Sequence, residues 1–299
     1  PHASPRRPTM NPPPPKPHTN AHTPSTLASD PPQAPRPRPR SRLQAPPRRR
    51  EDEVMDNPAL DPDAHRAALR GLARINRLSH AAPSLWRAIR SIARHHNDAT
   101  HQPSAHPDRH HPHAPPPLRI LDLACGRGDV LIDLARLARR DRVHAELHGR
   151  DLSPLALDVA AQAARDARQN IAFNQADALQ DPLDPEAPHD APFDILTCSL
   201  FLHHLDPDQV VALLRRMGRA ARLGLAAADL ERRWLGLALA RAAVPFITQS
   251  PVVRVDAVRS ARAAYTRLEL HDLALQAGLE GARIARRWPA RMILQWVKP

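Results

Sequence analysis

The sequence predicts an α/β fold in which helices cover both faces of a doubly wound, mostly parallel sheet. Short apolar runs alternate with segments of helical period from residue 118 to the end of the chain. This alternation is typical of right-handed crossovers between parallel strands. The first apolar run also turns abruptly into a glycine loop and then a helix. The chain has only 9 glycines, so placing Gly126 and Gly128 together indicates a backbone that must approach a ligand closely.

The stretch from Leu118 to Val130 reads LRILDLACGRGDV, and three prolines directly before it end any preceding element. Its first half has the continuous apolar character of a buried parallel strand. After the glycines the period changes, since apolar residues at 130, 131, 134, 137 and 138 follow helical spacing. We therefore predict a strand, a ligand-binding loop and a helix in this order.

The remaining elements follow in the same alternation. Ser153 before Pro154 is a typical helix start, because the serine can cap the helix and proline suits its first position. The last two strands are close enough in sequence to pair as an antiparallel hairpin. The predicted strands after the first are 143–149, 171–174, 193–199, 223–228, 282–287 and 292–297. The sequence thus predicts seven strands with an antiparallel C-terminal strand.

Composition divides the chain before residue 118. Residues 1–50 contain 16 of the 35 prolines and contribute +9 to the formal net charge of +12, so we predict a disordered Pro/Arg-rich arm over 1–55. Two apolar stripes predict an N-terminal helical cap over 56–94. A His/Pro-rich linker is predicted for 95–117, and the folded domain for 118–299. Because the arm carries the charge, the pI of 11.2 is no argument for nucleic-acid binding by the domain.

Several classes of protein are disfavoured. The two cysteines are too few for a disulfide framework or a thiolate zinc site, and we expect no bound metal. No run of 18 apolar residues is present, so we expect a cytoplasmic protein without a transmembrane segment. A monomer or a homodimer is compatible with the sequence. The chain begins with Pro1, and Met10 and Met55 are both candidate starts.

Polar residues stand at the ends of four predicted strands, where open α/β sheets bind ligands. They are the glycine loop, Asp151, Asp177 and the step from Cys198 to Ser199. An acid such as Asp151, at the end of the second strand, can accept hydrogen bonds from both ribose hydroxyls. A nicotinamide dinucleotide would fit this pattern too. However, Leu131 replaces the third glycine of the pyrophosphate fingerprint, and Asp129 would repel a pyrophosphate but tolerate a cationic cofactor.

Three motifs together, LDLACGRGD, NQADAL and FDILTCSLFLHHL, resemble the Rossmann-like class I S-adenosylmethionine-dependent methyltransferases over residues 118–297. The resemblance implies that S-adenosyl-L-methionine is the cofactor and that the ends of the strands bind it. Ala124 departs from the glycine that many relatives have at the start of the loop. The residues that the resemblance assigns to the cofactor are Asp122, Ala124, Gly126, Gly128, Asp151, Leu152, Asp177, Ala178 and Cys198.

The acceptor is less well defined. Residues 68–79 and 253–264 resemble bacterial methyltransferases encoded near type III polyketide synthases and, more distantly, quinone-ring methyltransferases. This implies a small phenolic, polyketide-like or quinone-like acceptor. His203 and His204 are candidate bases, because imidazole titrates near neutral pH. Asp256, Arg259 and Arg262 are candidate acceptor contacts. The alternatives are a nicotinamide-dependent reductase and a binding protein that holds the cofactor without catalysis.

Overall fold

The computed structural model of the protein describes residues 45–57, 59–100, 116–183 and 192–299, with backbone only for 97–100. Most of the predicted arm and the histidines from 101 to 113 lie outside these ranges. The strands are β1 (Leu118–Leu123), β2 (Ala145–Asp151), β3 (Ile171–Gln175), β4 (Ile195–Ser199), β5 (Gly224–Leu230), β6 (Arg283–Arg287) and β7 (Arg291–Val297). The helices are α1 (Pro62–Leu78), α2 (Ala81–Thr100), α3 (Asp129–Arg140), α4 (Pro154–Asp166), α5 (Pro207–Ala220), α6 (Trp234–Ala242), α7 (Val244–Ile247), α8 (Pro251–Ala263) and α9 (Arg267–Gln276).

The seven strands form one sheet in the order β3-β2-β1-β4-β5-β7-β6. Strands β1 to β5 pair in parallel, whereas β7 runs antiparallel to both of its neighbours. The predicted α/β class, mostly parallel sheet and antiparallel C-terminal strand are therefore confirmed. Since β1 lies between β2 and β4, the strand order reverses there, and a crevice at the carboxyl edge is expected at this switch point.

Two apolar cores lie on the two faces of the sheet. On one face, Leu121 and Leu123 of β1 contact the buried sides of α5 and α9. On the other face, Ile120 packs with α3 and with residues of α2. The alternation of neighbouring β1 residues between the faces follows from the two-residue period of a strand. Covering both faces leaves the carboxyl edge as the open side of the sheet.

The two N-terminal helices do not form one cap. Leu85, Ile89 and Ile92 of α2 are fully buried in the core of one sheet face, so α2 is a layer of the domain itself. Its apolar stripe matches a face of the sheet that would otherwise be exposed to water. Helix α2 also continues to Thr100, beyond the predicted start of the linker at residue 95. Only α1 has the character of a cover, and it packs against α7 and α8.

Residues 45–57, which we call the N-terminal segment, lie against the domain, although the sequence assigned 45–55 to a free arm. The guanidinium of Arg48 donates hydrogen bonds to the carbonyl oxygens of Ala263 (2.6 Å) and Leu205 (2.8 Å). Arg232 in turn donates to the carbonyl oxygen of Pro46 at 2.7 Å. Proline content alone predicted disorder here, because these partners are too distant in sequence to be read from it. The ordered part of the chain begins before residue 55.

Candidate functional site

The loop between β1 and α3 uses its two glycines differently. Gly126 has a φ of +54°, and a Cβ placed on it would meet nothing within 4 Å. Gly128, at the N-cap of α3 with a φ of +71°, is packed instead, since a Cβ there would come within 2.9 Å of Phe173 and 3.2 Å of Ala160. Both positions favour glycine through their positive φ. Open space next to the backbone exists at Gly126 only.

Asp151, the last residue of β2, joins this loop to the start of α4. Its Oδ2 accepts a hydrogen bond from the N–H of Gly126 at 2.7 Å, and its Oδ1 accepts from the N–H of Ser153 at 2.9 Å. Burial raises the pKa of Asp151, and these two N–H groups oppose the shift. The neighbouring Leu152 is 63% exposed. The carboxylate is thus fixed beside an apolar side chain that is open to solvent.

Asp177 and Ala178 follow the end of β3. The carboxylate of Asp177 accepts hydrogen bonds from the N–H of Leu179 at 2.7 Å and from the side-chain amide of Gln180 at 3.0 Å. Its own N–H donates to Asp181 at 2.7 Å. The N–H of Ala176 donates to the carbonyl oxygen of Asp151, so this turn is held next to the end of β2.

Three carboxyl groups make the crevice acidic. Asp122 is fully buried in β1, where its Oδ1 accepts a hydrogen bond from the hydroxyl of Thr197 at 2.6 Å. Burial raises the pKa of Asp122 to about 7, and repulsion from Asp129 and Asp151 adds to the increase. Burial also raises the pKa of Asp129, which accepts a hydrogen bond from Asn76 of α1. Such a cluster favours a ligand with positive charge.

The end of β4 lies on the other side of the crevice. Cys198 is fully buried, and burial raises the pKa of its thiol well above the usual range. The hydroxyl of Ser199 is buried and has no hydrogen-bond partner among the described residues. A buried polar atom without a partner is uncommon in folded proteins and indicates a ligand or water position. After Leu200 the chain forms a short 3₁₀ turn, Leu202–His204.

His203 and His204 lie in a cluster of ionisable groups. His203 is 3% exposed, and its Nδ1 lies 2.7 Å from Asp229 of β5. Its Nε2 lies 3.6 Å from Glu53 of the N-terminal segment. Burial alone would lower the pKa of His203, but Asp229 and Glu53 raise it to about 10. His203 therefore keeps its proton at neutral pH in this arrangement, so of the two candidate bases only the more exposed His204 is open to an acceptor.

Residues 120–224 of this chain match a family model described as a methyltransferase domain. They contain the glycine loop, Asp151, Asp177 and the two histidines. Demethylmenaquinone methyltransferase of Deinococcus radiodurans is 36% identical to this chain over 102 residues. Residues 120–224 therefore form a methyltransferase domain. The matched segment is 34% of this chain and only 39% of that relative.

Solved methyltransferase structures resemble the domain more distantly. The magnesium protoporphyrin IX methyltransferase of Synechocystis PCC 6803 is 20% identical with a TM-score of 0.43, covering 62% of this chain and 75% of that one. Human N-acetylserotonin methyltransferase is 18% identical with a TM-score of 0.45, covering 60% of this chain and 47% of that one. Within the described residues, no helix combines the length and apolar character needed to cross a membrane.

The three residues predicted to contact the acceptor instead contact the N-terminal segment. Both oxygens of Asp256 accept hydrogen bonds from the N-terminal segment, from the N–H groups of Val54 (2.8 Å) and Met55 (3.0 Å). Arg259 donates to the carbonyl oxygen of Asp52 at 2.7 Å. Arg262 lies 3.9 Å from the carboxylate of Glu51. In the structure these side chains hold the N-terminal segment on α8.

The sequence analysis missed two acids of this site. Asp229 stands at the end of a predicted strand, which is the same signal that identified Asp151, so it was available from the sequence. Glu53 carried no signal, because it lies in a segment rich in proline and arginine and contacts a histidine 150 residues later. The absence of a bound metal stays a prediction, although Glu53, His203 and His204 place three possible ligand atoms within 4.8 Å of one another.

Proposed function

We propose that the protein transfers the methyl group of S-adenosylmethionine to a small aromatic acceptor. The observation that carries this proposal is the acidic crevice at the switch point of the sheet. Asp129 and Asp151 repel Asp122 there, and Asp151 accepts a hydrogen bond from Gly126, beside which the structure has open space. The sulfonium and ammonium groups of S-adenosylmethionine are positive, so they would relieve the repulsion between these carboxylates. A pyrophosphate would increase it.

The cofactor fits the residues that line this crevice. Each oxygen of Asp151 accepts a hydrogen bond from one backbone N–H, of Gly126 or of Ser153. The remaining lone pairs of the carboxylate would accept hydrogen bonds from the ribose hydroxyls. The exposed side chain of Leu152 and the turn at Asp177 and Ala178 would border the adenine. Gly126 leaves room for the methionine part, together with Asp122, Ala124 and the backbone of Cys198. The orphaned hydroxyl of Ser199 supplies a further polar contact for a ligand.

Methyl transfer from this cofactor is one in-line displacement. The bond from the methyl carbon to sulfur breaks as the bond to the acceptor oxygen or ring carbon forms, and neutral S-adenosylhomocysteine leaves. Holding both reactants aligned contributes about 7–11 kcal/mol in favourable cases. The acceptor also loses a proton, for which His204 is the best-placed group because its side chain is 24% exposed and lies at the end of β4.

The acceptor class is supported by the surroundings of the histidines. The ring of Phe201 lies 6.5 Å from that of His204, and the hydroxyl of Tyr265 lies 2.7 Å from the carbonyl oxygen of Leu205. Aromatic side chains next to a few polar atoms suit an acceptor with an apolar ring and an ionisable oxygen. The relative from Deinococcus radiodurans is named for demethylmenaquinone. We therefore propose a phenolic or quinol-like acceptor for this chain.

Calorimetric titration tests the cofactor part of the proposal. S-adenosylhomocysteine should bind the full chain, and NADH should not; the reverse result would support a reductase. Mass spectrometry of phenols and reduced quinones incubated with S-adenosylmethionine then tests transfer. The signal is a gain of about 14 mass units, because one CH₃ group replaces one hydrogen. Cofactor binding without transfer to any acceptor of this class would favour a binding protein.

A further inference from the structure

We propose that Glu53, His203 and His204 form a binding site for a divalent first-row transition-metal ion, with Zn²⁺ as the probe. The two histidines are adjacent in the 3₁₀ turn after β4, and the carboxylate reaches them from the N-terminal segment. The site thus joins two parts of the chain that are 150 residues apart in sequence.

The ligand atoms converge on a single point. The Nε2 atom of His203 lies 3.6 Å from one oxygen of Glu53, and the Nε2 atom of His204 lies 3.9 Å from the other. All three possible ligand atoms fall within 4.8 Å of one another. Ligands of one tetrahedral zinc ion, each about 2.0–2.2 Å from the metal, are about 3.3 Å apart. The cluster is therefore slightly wider than a loaded site, and small side-chain rotations would close it.

Each of the three proposed ligand side chains also has a second polar neighbour that orients it. Nδ1 of His203 is bonded to Asp229 at 2.7 Å, and Nδ1 of His204 lies 3.3 Å from Asp56. The hydroxyl of Ser260 donates a hydrogen bond to Glu53. Metal-binding histidines commonly donate their second nitrogen to a carboxylate, which fixes the ring and selects the tautomer. His203 has this hydrogen bond, and His204 has a carboxylate within 3.3 Å of its Nδ1. The Nε2 atoms of both histidines lie within 3.9 Å of the carboxylate of Glu53.

The charges and the burial of the cluster also suit a cation. Glu53 and Asp229 are 8% and 2% exposed, and within the described residues they form ion pairs with the two histidines. Buried carboxylates require compensation by positive charge. Without metal the protonated His203 supplies it, and a divalent ion would supply it instead by displacing that proton from the imidazole. Two imidazoles and one carboxylate favour zinc, iron or a similar metal over magnesium or calcium. His204 provides access, because its side chain is 24% exposed.

Three protein ligands leave at least one coordination position open. If the proposed methyl transfer is correct, an oxygen of the acceptor could occupy this position. The metal would then favour the deprotonated acceptor in place of His204, whose ring nitrogen would be coordinated and no longer act as a base. That use of the ion rests on the proposed function. Binding of the ion itself does not, and it should also hold the N-terminal segment on the domain.

The test measures zinc bound per chain at equilibrium, without cofactor or acceptor. Wild-type protein should bind one equivalent more than the Glu53→Gln and His204→Ala variants. Glu146→Gln and His148→Ala serve as matched controls, because these residues form another Glu–His pair, 2.6 Å apart, with no second histidine in the described cluster. The controls should bind as much zinc as wild type. The histidines between 95 and 113 are present in every variant, so zinc bound there cancels in the comparison.

Limited trypsin digestion gives a second readout that does not depend on stoichiometry. Zinc should slow cleavage after Arg48, Arg49 and Arg50 in wild-type protein and in both controls, but not in the Glu53→Gln variant. Circular dichroism first checks that each variant is folded. Equal zinc content in folded wild-type and Glu53→Gln protein would overturn the proposal. Because no methyl transfer is measured, this failure would leave the proposed activity untouched.

Discussion

The carboxylate of Asp151 holds the N–H of Gly126 at 2.7 Å, and this hydrogen bond joins the end of β2 to the glycine loop after β1. The two elements to which we assign cofactor binding are therefore joined by a hydrogen bond within the protein itself. Asp151 also accepts from the N–H of Ser153. A single side chain thus sets the position of the loop and of the start of α4, and presents its remaining lone pairs to the crevice.

Replacing Asp151 by alanine should weaken binding of S-adenosylhomocysteine by about 1.5–3 kcal/mol, or about 10- to 150-fold, because charge-assisted hydrogen bonds to the ligand are lost. Calorimetric titration measures the change. Asp151→Asn should lose less, because the amide oxygen can still accept from one backbone N–H. Asp158→Ala, an exposed position on α4, is the control. Unchanged affinity in Asp151→Ala would remove this residue from the binding site.

The two loop glycines should respond differently to alanine. Gly126→Ala should weaken cofactor binding, because its Cβ would occupy the open space that we assign to the cofactor. It should lower the free energy of unfolding by about 1–2 kcal/mol, which is the cost of an alanine in the left-handed region. Gly128→Ala carries the same backbone cost plus a 2.9 Å contact with Phe173, so it should destabilise the protein more. Thermal melts and titration with S-adenosylhomocysteine separate the two effects. A larger loss of melting temperature in Gly126→Ala would contradict this assignment.

The alternation of apolar runs and helical segments was sufficient to predict the sheet, because burial on both faces leaves a strong pattern in every strand. Polar residues at the strand ends likewise predicted a cofactor site at the carboxyl edge of the sheet, and the part of Asp151 in it stays a prediction. The role of the N-terminal segment could not be predicted. Arg48 and Glu53 are stabilised only by atoms more than 140 residues away, and local composition there favours disorder. Helix α2 was misplaced as a cap for a related reason, since a periodic stripe does not reveal which surface it covers.

Stability of the protein should depend on pH through Asp122. Its pKa rises from 3.8 to about 7 on folding, chiefly because of burial. The folded state therefore binds more protons between these values, so the stabilising contribution is complete below about pH 3.8 and is lost as pH rises through 7. Asp122→Asn stays neutral, so its melting temperature should rise relative to that of the wild type as the pH increases from 5 to 8. Each kcal/mol of difference in the free energy of unfolding should shift the melting temperature by about 2–4 °C.

Scanning fluorimetry across this pH range makes the comparison. Asp133→Asn on α3 is the control, because Asp133 is partly exposed and pairs with Arg136 at 2.7 Å. Its difference from wild type should stay nearly constant with pH. A constant difference for Asp122→Asn as well would show that Asp122 titrates outside this window.

Arg48 should stabilise the domain although it lies in the arginine-rich part of the chain. Its guanidinium donates to Ala263 and Leu205 and lies 4.1 Å from the centre of the Tyr265 ring. Arg48→Ala should lower the free energy of unfolding by about 1.5–3 kcal/mol, as expected for hydrogen bonds from a charged donor. Arg49→Ala should have little effect, because that side chain is exposed and its backbone N–H still donates to Arg262.

Truncation extends the same prediction. A chain that begins at residue 43 keeps every described contact of the N-terminal segment and should unfold at the wild-type temperature. A chain that begins at residue 51 loses the hydrogen bonds of Arg48 and the one from Arg232 to the carbonyl oxygen of Pro46. It should therefore melt at a lower temperature than Arg48→Ala. Calorimetry measures the melting temperatures of the two truncated chains. Equal values would mean that residues 43–50 contribute nothing to stability and that the domain begins after residue 50.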